Sequence, residues 1–151
     1  PSDAELRAYL ARHAAAFTLP ARARLTQVFL DRARGAALAA DAAAARAALQ
    51  AGAAPAGDPL PIGPALPSLS AAELERLLGA AVAAAAFALP LGEWSAPVAS
   101  PYGLHLLRVE ARTPARRPRL EEIRSALAEA LLAERAAGAL AAAERELRGA
   151  P

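Results

Sequence analysis

A chain of 151 residues has room for one domain with flanking helices, and its formal net charge of +2 is too small to argue for a nucleic-acid partner. With no cysteine it forms no disulfide, thiolate metal site or thiol nucleophile, and every long apolar stretch is alanine-rich and interrupted, so no membrane span is predicted. All 17 basic residues are arginine, and lysine, asparagine and methionine are missing, a bias toward GC-rich codons. Alanine buries little area, so the core must rest on the Leu, Val, Phe and Trp positions.

In chain order, Ser2-Asp3-Ala4-Glu5 reads as a capping box opening a helix to about Ala15, with Leu6, Tyr9 and Leu10 on its apolar stripe. Phe17 to Pro20 leave the helix. Leu25 to Leu30 is a β-rich run whose alternation puts Leu25, Gln27 and Phe29 on one face and Thr26, Val28 and Leu30 on the other. Asp31 to Gly35 turn the chain, and Ala36 to Gln50 is nearly pure helix former, closed by Gly52. Residues 53–68 hold five prolines (55, 59, 61, 64 and 67), predicting a loop with a short extended piece around Leu60 and Ile62. A second capping box, Ser70 to Glu73, starts a helix through Leu74, Leu77 and Leu78. Gly79 kinks it or divides it in two, and helix resumes through Val82 to Phe87. Trp94–Ser100 and Leu104–Ala111 read as strands joined at Pro101-Tyr102-Gly103. A long helix covers about Leu120 to Arg148, with one stripe at Leu120, Ile123, Leu127 and Leu131 and a second at Leu140, Ala143 and Leu147. The arginines at 112, 116, 117, 119 and 124 read as a solvated face.

The stretch 78–105 carries the sharpest pattern. Leu78 stands four residues before Val82. Phe87-Ala88-Leu89, Gly92-Glu93, Ser95-Ala96-Pro97-Val98 and Gly103-Leu104-His105 then follow at fixed spacing. These residues resemble the C-terminal half of a parvulin-type (PpiC, rotamase) peptidyl-prolyl isomerase domain. Leu78 falls on a position often held by methionine and Val82 on one usually held by phenylalanine. Gln27 occupies the place of a first-strand histidine, and Gly57-Asp58-Pro59-Leu60 looks like a variant of the family's Gly-Gly-Asp-Leu-Gly turn.

The resemblance implies an α+β fold: a small antiparallel sheet of about four strands covered by helices. A helix over residues 1–20 would pack with the long helix in 115–151, around a parvulin-like domain at 21–114. It implies His105 and Gln27 as the catalytic pair and Leu78, Val82 and Phe87 as the wall of a proline pocket. Trp94 and Tyr102 complete the candidate substrate-binding set, a plain core tryptophan being the alternative for Trp94. No cofactor or metal is called for, because no bond is broken. The expected partners are unfolded or proline-containing polypeptides, in the manner of bacterial exported or membrane-anchored foldases facing the periplasm. The chain begins with proline rather than methionine, so it is expected to be cut from a longer precursor, which leaves room for an upstream export signal or membrane anchor. Oligomeric state is not legible.

Three departures define the alternatives: Gln27 for histidine, Val82 for phenylalanine, and no cysteine. They allow a catalytically weak or inactive peptide-binding chaperone of the same fold. His105 on a strand is open to a bland reading as a buried, hydrogen-bonded histidine. Outside the family, an Ala/Leu-rich helical interaction protein with an incidental hairpin is the third reading.

Overall fold

The structure, a computed structural model, describes residues 1–150. It divides into two compact units, Pro20–Ala115 and the pair of segments Pro1–Leu19 and Arg116 onward.

The first unit is built on a four-stranded antiparallel sheet in the order β2-β1-β4-β3. Its strands are β1 (Arg22–Asp31), β2 (Ala65–Ser70), β3 (Val98–Ser100) and β4 (Gly103–Thr113). The central pair, β1 and β4, is buried on both faces through Gln27 to Leu30 and His105 to Leu107. Leu25, Leu107 and Val109 meet Leu74, Leu78, Val82 and Ala86, from helices α4 (Ala71–Leu78) and α5 (Ala80–Ala88). On the opposite face Val28 and Leu106 meet Leu49 of helix α3 (Leu38–Gln50), with Trp94 packed alongside. Helix α3 is eight alanines in thirteen residues; a side chain that small keeps helix propensity high, and Ala42 is completely buried.

The Ser70 capping box forms as read: its hydroxyl accepts from the Glu73 amide, and the Glu73 carboxylate accepts from the Ser70 amide. Gly79 divides α4 from α5 rather than kinking one helix. Its φ of 95° costs a glycine nothing and strains any other residue.

Three boundaries differ from expectation. The extended piece is not around Leu60 and Ile62 but at β2, five residues on. Proline suits it because β2 is an edge strand and Pro67 falls within the register shift between the Leu66 and Leu69 pairings, where no ladder amide is required. The strand expected from Trp94 shrinks to Val98–Ser100. Pro97 has no amide to donate, and upstream only single bridges remain, Trp94 to Arg108 and Leu91 to Val109. Strand β1 is longer at both ends than the Leu25–Leu30 run. A four-stranded sheet excludes the helical protein with an incidental hairpin.

The second unit comprises α1 (Asp3–Arg12), α2 (Ala14–Phe17) and the 30-residue α6 (Leu120–Gly149). Leu6 and Tyr9 bury against Leu120, Leu127 and Leu131, with Leu10, Phe17 and Ile123 around them. A two-bond backbone bridge between Leu19 and Arg116 closes it (2.9 and 3.0 Å). Surface pairs tie the helices together: Arg124 to Asp3, Arg135 to Glu5, and His13 to Glu134 at 3.2 Å. The second stripe finds no cover, Leu140 being 63% and Leu147 79% exposed. The basic run is largely paired, with Arg116 and Arg119 on Glu122 and Arg124 on Asp3.

Candidate functional site

The alternation of β1 and β4 puts Gln27, Phe29 and His105 on the α4/α5 face, with Phe29 directly opposite His105 and Gln27 opposite Leu107. That diagonal brings the two predicted polar residues together. His105 Nδ1 lies 2.9 Å from Gln27 Oε1, and both side chains are buried.

The hydrogen bonds around them fix one direction. Gln27 Nε2 donates to the Gly63 carbonyl at 2.9 Å, so its amide oxygen must face the imidazole and His105 Nδ1 must carry the proton. Nε2 of a neutral ring is then an acceptor, and the Ser100 hydroxyl donates to it across 2.7 Å. Ser100 Oγ in turn accepts from the Tyr102 amide at 3.1 Å. The chain Tyr102–Ser100–His105–Gln27–Gly63 thus links the β3–β4 turn to the proline-rich loop through the sheet. Burial strips water from the imidazole and pulls its pKa down to about 4, which keeps the ring neutral at physiological pH.

Ser100 is the polar partner that the sequence reading missed. The signal was present: once Pro101-Tyr102-Gly103 is taken as a turn, Ser100 and His105 stand near each other across the hairpin, a hydroxyl within reach of a ring nitrogen.

Beside this network lies an apolar cavity of about 780 Å³, large enough for a short peptide segment. Its apolar wall comes from Phe29, Leu60, Ile62, Leu77, Leu78 and Tyr102, with Pro59, Pro61 and Pro101; Asp31, Arg32 and Arg76 supply charge. His105 is fully buried and does not line it. Its ring lies against Phe29 with centroids 5.1 Å apart, so the imidazole backs the cavity wall instead of forming its surface. Gln27 lines a second, smaller hollow of about 420 Å³, together with residues of the 55–64 loop.

The other candidates separate. Leu78 and Tyr102 line the main cavity, and Tyr102 is 49% exposed. Val82 does not: it is wholly buried among Leu74, Leu78 and Ala86, because its place on α5 points it into the sheet. Phe87 packs half-buried against that same core. Trp94 lies against Val28 and Leu106 on the far face, with the Arg108 guanidinium 4.9 Å from its ring centre. Those three positions give way to Phe29, Leu60 and Ile62.

The loop that brings Leu60 and Ile62 to the cavity is anchored by Asp58. Its carboxylate accepts from the Asp31 amide (2.8 Å) and takes both Nε and Nη2 of Arg34 at 2.6 Å, while its own amide donates to the Phe29 carbonyl (2.7 Å). Bidentate pairing holds the Asp58 pKa down to about 2. At the other wall, a Cβ on Gly103 would collide with the Leu30 carbonyl oxygen and come within 2.9 Å of Arg32 N, so only glycine lets the turn close on β1. Among the described residues no group of three His, Asp or Glu side chains is arranged to hold a metal ion, and no helix is long and apolar enough to cross a membrane.

Comparison with known proteins agrees with this architecture. No curated protein sequence matches the chain. Its fold is similar to a structure described with PEB4 and the periplasmic protein Cj1289, two SurA-like chaperones of Campylobacter jejuni. The TM-score is 0.59 at 16% identity, covering 100% of this chain and 63% of that one. It is also similar to the peptidylprolyl isomerase PrsA of Bacillus anthracis, with a TM-score of 0.51 at 15% identity, over 89% of this chain and 56% of that one. The chain therefore spans about three-fifths of the length of these proteins. The family model of the PPIC-type PPIase domain matches residues 1–125, the sheet unit, α1 and the start of α6 together, and the chain belongs to that peptidyl-prolyl isomerase family.

Proposed function

We propose that this chain is a peptidyl-prolyl isomerase and foldase acting on proline-containing segments of unfolded polypeptides. The observation that carries the reading is the apolar cavity between Phe29, Leu60, Ile62, Leu78 and Tyr102, backed by the neutral His105 ring.

Rotation about an X-Pro amide faces a barrier of roughly 18–20 kcal/mol from lost C–N resonance. No bond breaks, so a nucleophile is unnecessary. The planar amide is more dipolar than the twisted one, and a cavity that removes water from it lowers the barrier, provided the prolyl ring is gripped. A thousandfold acceleration needs about 4 kcal/mol of such differential stabilisation. Phe29, Leu78 and Leu60 are apolar surfaces suited to the ring. His105 is a positioning residue: through Gln27, Ser100 and the stacked Phe29 it sets the wall and takes no proton from substrate.

A protease-coupled proline-peptide assay tests this. The wild type accelerates isomerisation, with kcat/KM flat between about pH 6 and 8 because the imidazole stays neutral. His105→Ala lowers kcat/KM by about tenfold or more. Equal rates for both proteins at the uncatalysed level remove the enzyme reading.

A second reading, a chaperone that binds such segments with little catalysis, is favoured by one feature: both ring nitrogens of His105 and the Ser100 hydroxyl proton are already engaged within the protein. Suppressed aggregation of a proline-free client, without isomerisation, identifies it. The periplasmic setting named for the Campylobacter protein is proposed for this chain as well, with unfolded exported polypeptides as partners.

A further inference from the structure

Antiparallel pairing sends alternate backbone groups of β1 to opposite sides of the strand. The Gln27 amide donates away from β4, to the Pro64 carbonyl (2.8 Å), so the backbone groups of Phe29 and Asp31 face that way too. The Asp31 amide donates to Asp58 Oδ2, and the Phe29 carbonyl accepts from the Asp58 amide. The Phe29 amide alone of these three donors has no partner among the described residues, although Phe29 is only 4% exposed. Buried backbone donors are almost never left orphaned, so this one calls for an acceptor from outside the fold.

The hollow of about 420 Å³ lies at this point, with Gln27, Val28, Phe29, Gly57 and Pro64 in its lining. Gly57 has no side chain to fill the space against the strand. A Cβ there would stand 2.5 Å from the Phe29 carbonyl oxygen and 3.1 Å from the Phe29 nitrogen. Gln27 adds a second donor. Its Nε2 carries two hydrogens, and one is engaged, on the Gly63 carbonyl. The one carboxylate of the lining, Asp58, is held by Arg34. The hollow thus offers two unspent N–H groups in a space far larger than the ~30 Å³ share of one water.

We infer that the hollow binds a main-chain carbonyl of the client, a few residues from the proline, with the Phe29 amide and Gln27 Nε2 as its donors. The inference rests on the proposed prolyl site, with which the hollow shares Phe29, Pro59 and Leu60. An extended chain advances about 3.3–3.6 Å per residue, so a segment leaving the main cavity crosses that shared wall within a few residues. Every polypeptide carries the carbonyl, so the contact adds affinity without sequence preference, which suits unfolded clients.

The test titrates ¹⁵N-labelled protein with a proline peptide of about eight residues. Analogues carry an E-alkene in place of one flanking peptide bond at a time, which keeps the shape and removes the carbonyl oxygen. With the parent peptide the Phe29 amide proton moves downfield and exchanges more slowly, and one of the two Gln27 side-chain N–H signals shifts. One analogue loses both effects, and its Kd rises about fivefold. Ala56→Leu, which fills the hollow from an exposed position, removes that difference between parent and analogue. A Phe29 amide that stays put when the parent saturates the protein, that moves alike with every analogue, or that responds unchanged in Ala56→Leu overturns the inference. Isomerisation of the parent is measured alongside. Acceleration with an unmoved Phe29 amide sinks the carbonyl contact alone. Binding without acceleration sinks the isomerase reading, and the amide titration still decides the contact. A peptide that does not bind overturns both.

Discussion

The sheet unit and the helical unit draw on the same narrow alphabet of alanine, leucine and arginine, yet they handle polarity in opposite ways. Among the described residues all four buried polar side chains, Gln27, Ser70, Ser95 and His105, belong to the sheet unit, and each is hydrogen-bonded. Among the described residues the helical unit buries leucines and Tyr9, and it keeps its charged contacts in water, on pairs such as Arg124–Asp3 and Arg135–Glu5. The two histidines restate the contrast: His105 is sealed between Gln27 and Ser100, and His13 meets Glu134 at the surface. Buried polar groups are costly to leave unpaired, so they fix geometry; exposed ion pairs hold little energy and tolerate change. The unit that must shape a cavity is the one that carries the rigid polar chain.

The largest break in that comparison comes from backbone. Gly103→Ala forces a methyl group into the carbonyl of Leu30, held in the β1–β4 ladder, and toward the Arg32 amide, which donates to the Tyr102 carbonyl. A loss of more than about 4 kcal/mol is expected in urea denaturation, enough to unfold a marginal domain. A midpoint within about 1 kcal/mol of wild type would show that the turn does not need its glycine.

A smaller and sharper separation comes from pH. The His105 pKa falls from the 6.5 of an unfolded chain to about 4 when buried, so the unfolded state binds the extra proton. The neutral ring's contribution is complete above pH 6.5 and is lost as pH falls through 4. The full difference is on the order of 3 kcal/mol. Carboxylates behave in a lower window. Glu5 and Glu122 in the helical unit, and Asp58 in the sheet unit, are held down to about 2 by arginine and amide donors, so their contributions are complete above about 4.5 and are lost as pH falls from there through 2. Between pH 6.5 and 4.5 only the sheet unit should soften. Amide exchange of Leu104 to Leu107 should quicken there while that of Leu127 to Leu131 holds; parallel acceleration of both segments defeats the assignment.

Much of this was legible in the sequence where local chemistry is decisive. Both capping boxes and the turn at Pro101-Tyr102-Gly103 rest on residue types with strong local preferences, and each forms. The sheet face of Leu25, Gln27 and Phe29 follows from strand alternation alone. Strand β2 was hidden because its only licence, an edge position with Pro67 at an irregular step, is a tertiary fact. The cavity wall was misread for a related reason. Leu78 and Val82 share a helical face by spacing, but Gly79 breaks the helix between them, which leaves Leu78 at the cavity and turns Val82 into the core. Phe29 could have been named, since it shares a strand face with Gln27.

The smallest expected effect is also the most direct check on the helical unit. Arg124 meets both Asp3 oxygens at 2.5 and 2.9 Å, a bidentate pair of good geometry, and hydrogen bonding to that guanidinium lowers the Asp3 pKa. Both side chains remain nearly half exposed, so water and salt compete for them and ordering two long side chains offsets the attraction. Arg124→Gln should shift the thermal midpoint slightly at low salt, and variant and wild type should melt together in about 0.5 M NaCl. The apolar contact of Leu6 and Tyr9 with Leu127 and Leu131 is untouched by the change and sets the stability of this unit. A large, salt-resistant loss would mean that the helical unit depends on its polar surface as the sheet unit depends on its buried chain, and the contrast between the two would dissolve.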